Sequence, residues 1–379
     1  MIKSKTTLIK EGETSVFVPL VKKSNKGPGA QEHIVFYNPA MESSRDLSVV
    51  ITQWFIDKQK KDVEILDGLA ATGIRGVRLA KEVNGNAHVS INDHDEDAYR
   101  LIKRNISFNH LDNTSASKMD LNLLLSSNKY DMIDVDPFGS PVYFIDSAIR
   151  SIRHRGVLSC TATDTATLCG VYPDVCLRRY NAHPYRSPIM QEVGLRILLG
   201  LLAREAAKHD KGIEPLLCYS TDYYFRLYVQ VNRGVTYADE TIKKLSVIKS
   251  DDIKRYTHSE EVKVNSIGPL YTGNIVKKPV ISELRGILSN KELNTKKELF
   301  RLLDVLEEEA DAPLFYYTIE SISSHLKVNP PRRDKLFQYL RDNGYMVTRT
   351  HITPTGFKTN ASLETVEEAF INLSRAKKN

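Results

Sequence analysis

The chain has 379 residues, of which 41% are hydrophobic, and a formal net charge of +6. This length and apolar content imply two domains with sizeable cores and exclude a wholly disordered chain. No apolar run approaches the roughly 20 residues that span a bilayer and the N-terminus lacks the apolar centre of a secretory signal, so a soluble cytoplasmic protein is expected.

The first half alternates strand and helix. Val63 to Leu66 is a short apolar strand, followed by a helix over Ile74–Val83 with Val77, Ala80 and Val83 on one face. Ala87–Ile91 is a second strand, ending at Asn92-Asp93, and Glu96–Phe108 a second helix. Tyr130–Val135 is a strand, after which Pro141 suits a first helical position. Gly156–Thr161 is the next strand and Ile189–Ala207 a long apolar-faced helix. Such repeated units imply a parallel sheet with right-handed crossovers. Pro215–Ser220 and Tyr224–Val231 are joined by so few residues that they form an antiparallel hairpin.

From Asn232 to Ser266 the chain is polar, without a strong period, and is taken as a connector. Beyond it, helices are predicted over Glu292–Glu309, Ile319–Leu326 and Pro331–Asn343, then a strand over Tyr345–Ile352. Helix, turn, helix and wing form a nucleic-acid module. The division is therefore 1–265, catalytic, and 266–379, a smaller α+β domain of winged-helix-like pattern. Charge is not gathered in a tail, since residues 266–379 hold 17 Lys+Arg against 14 Asp+Glu. Cys160, Cys169, Cys176 and Cys218 form no C-x-x-C pair and are expected as buried free thiols, with no metal.

Three strand ends carry chemistry. Asp67-Gly-Leu-Ala-Ala-Thr-Gly-Ile-Arg-Gly76 follows the first strand and opens a helix. Its glycines permit a tight turn and close ligand approach, but the spacing matches neither nucleotide fingerprint. Asp67 there suits an ammonium group. Asp93 suits the hydroxyls of a ribose, and Asp120, after Lys118-Met119, an adenine amine. Acids at three successive strand ends without a phosphate cradle favour S-adenosyl-L-methionine over NAD.

Asp134-Val-Asp-Pro-Phe-Gly139 resembles the [DN]-P-P-[FYW] loop of amino-group methyltransferases. The lone pair of an exocyclic purine amine feeds the ring, so the nitrogen is a poor nucleophile. Acceptors placed around its N–H groups localise that lone pair and aim it. Asp136 and the Pro137 carbonyl supply the acceptors, and Phe138 a stacking face.

The chain as a whole resembles the tRNA guanine-26 N2-dimethyltransferase family. The likeness runs through Val35–Asp46, Asp67–Gly76, Asp134–Pro141, Thr161-Ala-Thr-Asp-Thr-Ala-Thr-Leu-Cys-Gly170, Arg178–Tyr180 and Glu192–Leu198. It resumes at Gly268–Gly273, Thr350–Pro354 and Lys358–Asn360. It implies a class I S-adenosylmethionine methyltransferase fold, Rossmann-like, with S-adenosyl-L-homocysteine as product and tRNA as partner. It further implies that Arg45 and Arg75 hold the methionine carboxylate, Asp93 the ribose, and Asp120 with Met119 the adenine. Asp136, Pro137 and Phe138 then face the guanine. Many members carry a cysteine cluster for zinc before the Gly-Pro-Leu segment; Asn232–Ile267 contains no cysteine, so no metal is expected.

Arg150–Arg155 and Arg178–Arg186 set arginines beside aromatics or histidines, a pattern that suits RNA, and Lys22–Lys26 is a basic segment. His33, His183 and His351 are expected to be structural, and Trp54 and the Tyr223–Tyr224 pair core or sheet residues. No obligate protein partner is implied. Two other readings are an adenine N6-methyltransferase and a catalytically silent RNA-binding protein on the same fold.

Overall fold

The computed structural model describes residues 5–20, 35–221, 223–249, 252–253, 256 and 266–375. Lys22–Lys26 and His33 lie outside them. A hairpin of β1 (Thr6–Glu11) and β2 (Thr14–Pro19) precedes α1 (Glu42–Asp57), which is buried from Ser44 to Ile56. Strand–helix units follow: β3 (Val63–Asp67), α2 (Ile74–Glu82), β4 (Ala87–Asn92), α3 (Glu96–Phe108), β5 (Thr114–Ser117), α4 (Leu121–Ser127), β6 (Tyr130–Val135), α5 (Val142–Ser151) and β7 (Ile152–Ala162). Two short helices, α6 (Thr165–Leu168) and α7 (Pro173–Tyr180), lead to α8 (Met190–Ala207) and to the hairpin of β8 (Lys211–Ser220) and β9 (Phe225–Arg233).

The seven strands lie in the order β5-β4-β3-β6-β7-β9-β8, parallel up to β7 and antiparallel in the last two pairs. Every residue of β6 is buried, as befits a strand covered on both faces. The chain travels outward from β3 to β5, then returns to place β6 on the other side of β3. With right-handed crossovers this reversal puts helices on opposite faces and opens a crevice above the ends of β3 and β6.

The predicted connector is more ordered than expected. It contains α9 (Val235–Ile242) and β10 (Leu245–Lys249), and β10 pairs with β11 (Ser266–Tyr271). A helix the sequence reading missed, α10 (Lys278–Ser289), packs on α1, and α11 (Lys296–Glu309) begins later than expected. The C-terminal module comprises β12 (Tyr317–Thr318), α12 (Ile319–Leu326), α13 (Arg333–Asp342), β13 (Val347–Arg349), β14 (Gly356–Thr359) and α14 (Leu363–Arg375). Its strands pair in the order β12-β14-β13, so two helices are followed by a wing.

Buried charge joins this module to the core. Glu192 of α8 pairs with Lys358 of β14 at 2.8 Å and with Arg196 at 2.9 Å, and accepts from the Phe315 N–H at 3.2 Å. His351 bridges Glu309 and the Ser220 N–H, a structural role as expected. The four cysteines are buried and unpaired. Among the described residues no helix is long and apolar enough to cross a membrane, and no group of three His, Cys, Asp or Glu is placed to hold a metal.

Burial alone would raise the Glu192 carboxyl, but Lys358 and Arg196 hold it down at about 2, against an ordinary 4.5. Its stabilising contribution is therefore present above about pH 4.5 and is lost as pH falls toward 2. Removing the carboxylate strands two buried cations. Glu192→Ala is expected to cost about 3–5 kcal/mol in denaturant unfolding at neutral pH, with a smaller deficit near pH 3.

Candidate active site

Asp67 ends β3 and turns onto the first turn of α2, where it accepts from the Gly76 N–H at 2.9 Å. A Cβ on residue 76 would stand 2.7 Å from Ile91 of β4, so only glycine lets α2 come this close. Gly73 begins that turn at φ +76°, in the left-handed region. Asp93, just past β4, clamps the loop from the far side. Its two oxygens accept from the Ala71 N–H at 2.8 Å and the Asp95 N–H at 3.0 Å. Asn92 knits the neighbouring loops: it donates to the carbonyls of Gly68 at 3.0 Å and Met119 at 3.1 Å, and accepts from the Met119 N–H.

Arg45, Asp67, Arg75, Asp93, Asp136, Pro137 and Phe138 line one cleft of about 1290 Å³. Met119 and Asp120 do not. Asp120 caps α4, accepting from the Asn122 and Leu123 N–H groups, and Met119 is exposed. The acid read as an adenine ligand thus has a local role as a helix cap, and Asn92 ties its loop to the end of β4.

Charge beneath the cleft is arranged in a chain. Arg226 of β9, fully buried, pairs with Asp134 and donates to Thr161 Oγ1 at 2.7 Å. Arg75 lies 3.7 Å from Asp134, pairs with Asp136 and donates to Ser48 Oγ at 2.5 Å. Burial would raise Asp134, but Arg226 and then Arg75 hold its carboxyl below the usual range. Asp67 has no such partner at hand. Burial first, and then Asp134, push it up to about 7, against the opposing pull of Arg75. Arg45 is gripped by Glu11 of β1, with contacts of 2.8 and 2.5 Å, beneath Tyr37.

The Asp136–Gly139 loop is fixed by the strand beside it. The Gly139 N–H donates to Thr163 Oγ1 at 2.7 Å, and the Thr163 N–H returns a bond to the Gly139 carbonyl at 2.9 Å. Tyr180, fully buried, donates to Asp164 at 2.6 Å and meets the Ser140 hydroxyl at 2.8 Å. Thr163 and Asp164 of the Thr161–Gly170 segment thereby hold the loop in shape. Phe138 is half exposed, with its ring against Phe36 at 4.3 Å and 78°.

Two expectations change. Arg150–Arg155 sits where β7 begins, at the opposite end of the sheet from the cleft, and Arg153 is paired with Asp131. Tyr223, expected inside, is exposed and lines the cleft, whereas Tyr224 is buried. Trp54 is buried and donates to Glu283. Glu11, Ser48, Asn92 and Arg226 escaped the sequence reading, because nothing local marks a residue whose partner stands far away in the chain.

A family model described as N2,N2-dimethylguanosine tRNA methyltransferase matches residues 13–371. The chain belongs to the N2,N2-dimethylguanosine tRNA methyltransferase family. It is 36% identical to the tRNA (guanine(26)-N(2))-dimethyltransferase of Methanobrevibacter smithii, over 98% of both chains. It is 38% identical to the enzyme of that name from Pyrococcus horikoshii, over 94% of this chain and 96% of that one. Among solved structures, Trm1 from Pyrococcus horikoshii with S-adenosyl-L-methionine superposes with a TM-score of 0.84 at 34% identity, covering 96% of this chain and 99% of that one. The class I methyltransferase fold that the resemblance implies is thus the fold of this family, with the parallel sheet and hairpin expected from the strand–helix pattern.

The raised Asp67 carboxyl has a measurable consequence in this family member. The folded state keeps its proton up to about pH 7, whereas the unfolded chain releases it near 3.8, so the group makes stability fall as pH rises between those values. Asp67→Asn retains an acceptor for Gly76 without the charge. Its stability relative to wild type is expected to improve progressively from pH 4 to pH 8 in denaturant titrations; a difference independent of pH would refute the shift.

Proposed function

We propose that this chain transfers one and then a second methyl group from S-adenosyl-L-methionine to the exocyclic N2 of guanine 26 in tRNA, giving N2,N2-dimethylguanosine. The observation that carries this reading is Asp136. Its side chain is 20% exposed at the mouth of the switch-point cleft, Arg75 holds it from below, and Phe138 stands half exposed beside it.

The residues fit the methyl donor by their chemistry. Asp93 binds the loop with both oxygens and keeps further lone pairs for ribose hydroxyls. Asp67 meets the ammonium, which restores the charge that burial suppresses. Arg45 and Arg75 offer their remaining N–H groups to the carboxylate, and the adenine lies beside the end of β4. The donor supplies an electrophilic methyl carbon.

The chain's own groups act on the guanine. The base leaves its stack to reach the cleft, and Phe138 receives its face. Asp136 and the Pro137 carbonyl accept from the amine, which draws the lone pair out of the ring and aims it. Arg75 keeps the Asp136 carboxylate in that direction, so little reorganisation remains at the moment of transfer. The proton lost from the alkylated nitrogen needs no strong base.

Residues 1–265 form the catalytic unit in this reading and residues 266–379 grip the tRNA body. Arg332, Arg333 and Lys335 are exposed at the start of α13, the second helix of the helix–turn–helix, where a phosphate backbone would lie. In this reading the protein works with its tRNA in the cytoplasm.

Unmodified tRNA incubated with the protein and labelled donor, then digested for nucleoside mass spectrometry, is expected to yield N2,N2-dimethylguanosine. Label in N6-methyladenosine would overturn the substrate, and no label would revive a silent RNA-binding role. Asp136→Ala is expected to slow transfer by at least about 100-fold while donor affinity in a calorimeter stays within a few-fold.

A further inference from the structure

Tyr143 and Tyr223 line the same cleft and have no part in the reaction described above. They are 65% and 55% exposed, and among the described residues neither ring is held by a hydrogen bond or an aromatic neighbour. Two bare aromatic faces lining one cleft mark a place where another flat group is received.

Their position says which side of the cleft they serve. Tyr143 stands in the first turn of α5, directly behind the Asp136–Phe138 loop. Tyr223 occupies the turn between β8 and β9, which the pairing of Ala162 with Phe225 brings to the rim at the end of β7. In the strand order β4-β3-β6-β7-β9, Tyr223 is two steps beyond β6, or about 10 Å at the usual strand spacing. Asp67 and Asp93 lie on the other side, at the ends of β3 and β4. Both tyrosines therefore flank the acceptor and not the donor.

The size of the cleft agrees. Its volume of about 1290 Å³ exceeds the ~300–1,000 Å³ typical of a pocket for one small ligand, which leaves room for more than a donor. Arg178 and Arg179, on α7 next along the rim, are exposed cations suited to the phosphates of the same strand.

We propose that Tyr143 and Tyr223 stack on the nucleotides either side of the target guanine and hold the RNA strand open while that guanine stands at Asp136. This rests on the reaction assigned under the proposed function. Extruding a base breaks its stacks with both neighbours. An aromatic side chain replaces such a stack whatever the sequence, because every base has a π-face. The tyrosines thus act as positioning residues, through the RNA and not on the reacting nitrogen.

The test uses Tyr143→Ala and Tyr223→Ala in the full chain, assayed on a tRNA whose target guanine is paired. Each is expected to lower kcat/KM by about 5- to 160-fold, the range that one lost base–aromatic stack gives, with donor affinity unchanged. Tyr143→Phe and Tyr223→Phe should keep the wild-type rate. On the same tRNA with an abasic site opposite the guanine, extrusion is easier and the loss should shrink markedly. Undiminished rates on the paired tRNA, or equal losses on both tRNAs, would overturn the proposal. A wild-type protein that methylates no guanine at all would instead overturn the reaction on which it rests.

Discussion

A carboxylate aimed at the cleft mouth needs something rigid behind it, and here that support is the buried pair of Arg226 and Asp134. Arg226 is wholly shielded from solvent. Either charge alone would cost several kcal/mol in that setting, so each requires the other. Arg75 continues the series from Asp134 to Asp136, and Ser48 accepts from both arginines. Alternating charge thus runs from the centre of the sheet to its rim. Its last two members, Arg75 and Asp136, line the cleft.

This arrangement gives the antiparallel hairpin a purpose beyond completing the sheet. Arg226 lies on β9 directly opposite Thr161 of β7, where its guanidinium reaches across to Asp134 on β6. Two further buried networks fix neighbouring parts of the fold. Glu11 of the N-terminal hairpin gathers Arg45 and Arg78, and Arg78 in turn pairs with Asp46 and Glu82. Glu192, Arg196 and Lys358 lock the C-terminal module against α8. Mispairing any of these would bury an uncompensated charge, so each network specifies position as well as contributing to stability.

What could be read from the chain alone follows from how local each signal is. The strands β3, β4 and β6 and the helices α2 and α3 were legible because apolar periodicity and Gly or Asp punctuation fall within a few residues, whereas β5 and α4, of four and seven residues, are too short to show a period. Asp67, Asp93 and Asp136 were legible for the same reason, since each ends a strand or follows one closely. Helix α1 escaped because it is buried almost all round and shows no polar face. Helix α10 went unread although Pro279 in its first turn and Asn290 at its end are ordinary helix start and stop signals. Arg226 and Glu11 gave no sign, because their meaning comes from partners 92 and 34 residues away. Asp120 shows the converse: one acid satisfied both a functional reading and a helix-capping one, and spacing could not separate them.

The central claim is that Asp136, held from below by Arg75, meets the amine of an extruded guanine. The most direct measurement is a crystal structure of the protein with tRNA and S-adenosyl-L-homocysteine. The account requires the guanine N2 within about 2.6–3.2 Å of an Asp136 carboxylate oxygen or the Pro137 carbonyl, with the base out of its helix and against Phe138. A guanine that stays stacked in the tRNA, or one that enters the cleft with N2 turned away from Asp136, would contradict it.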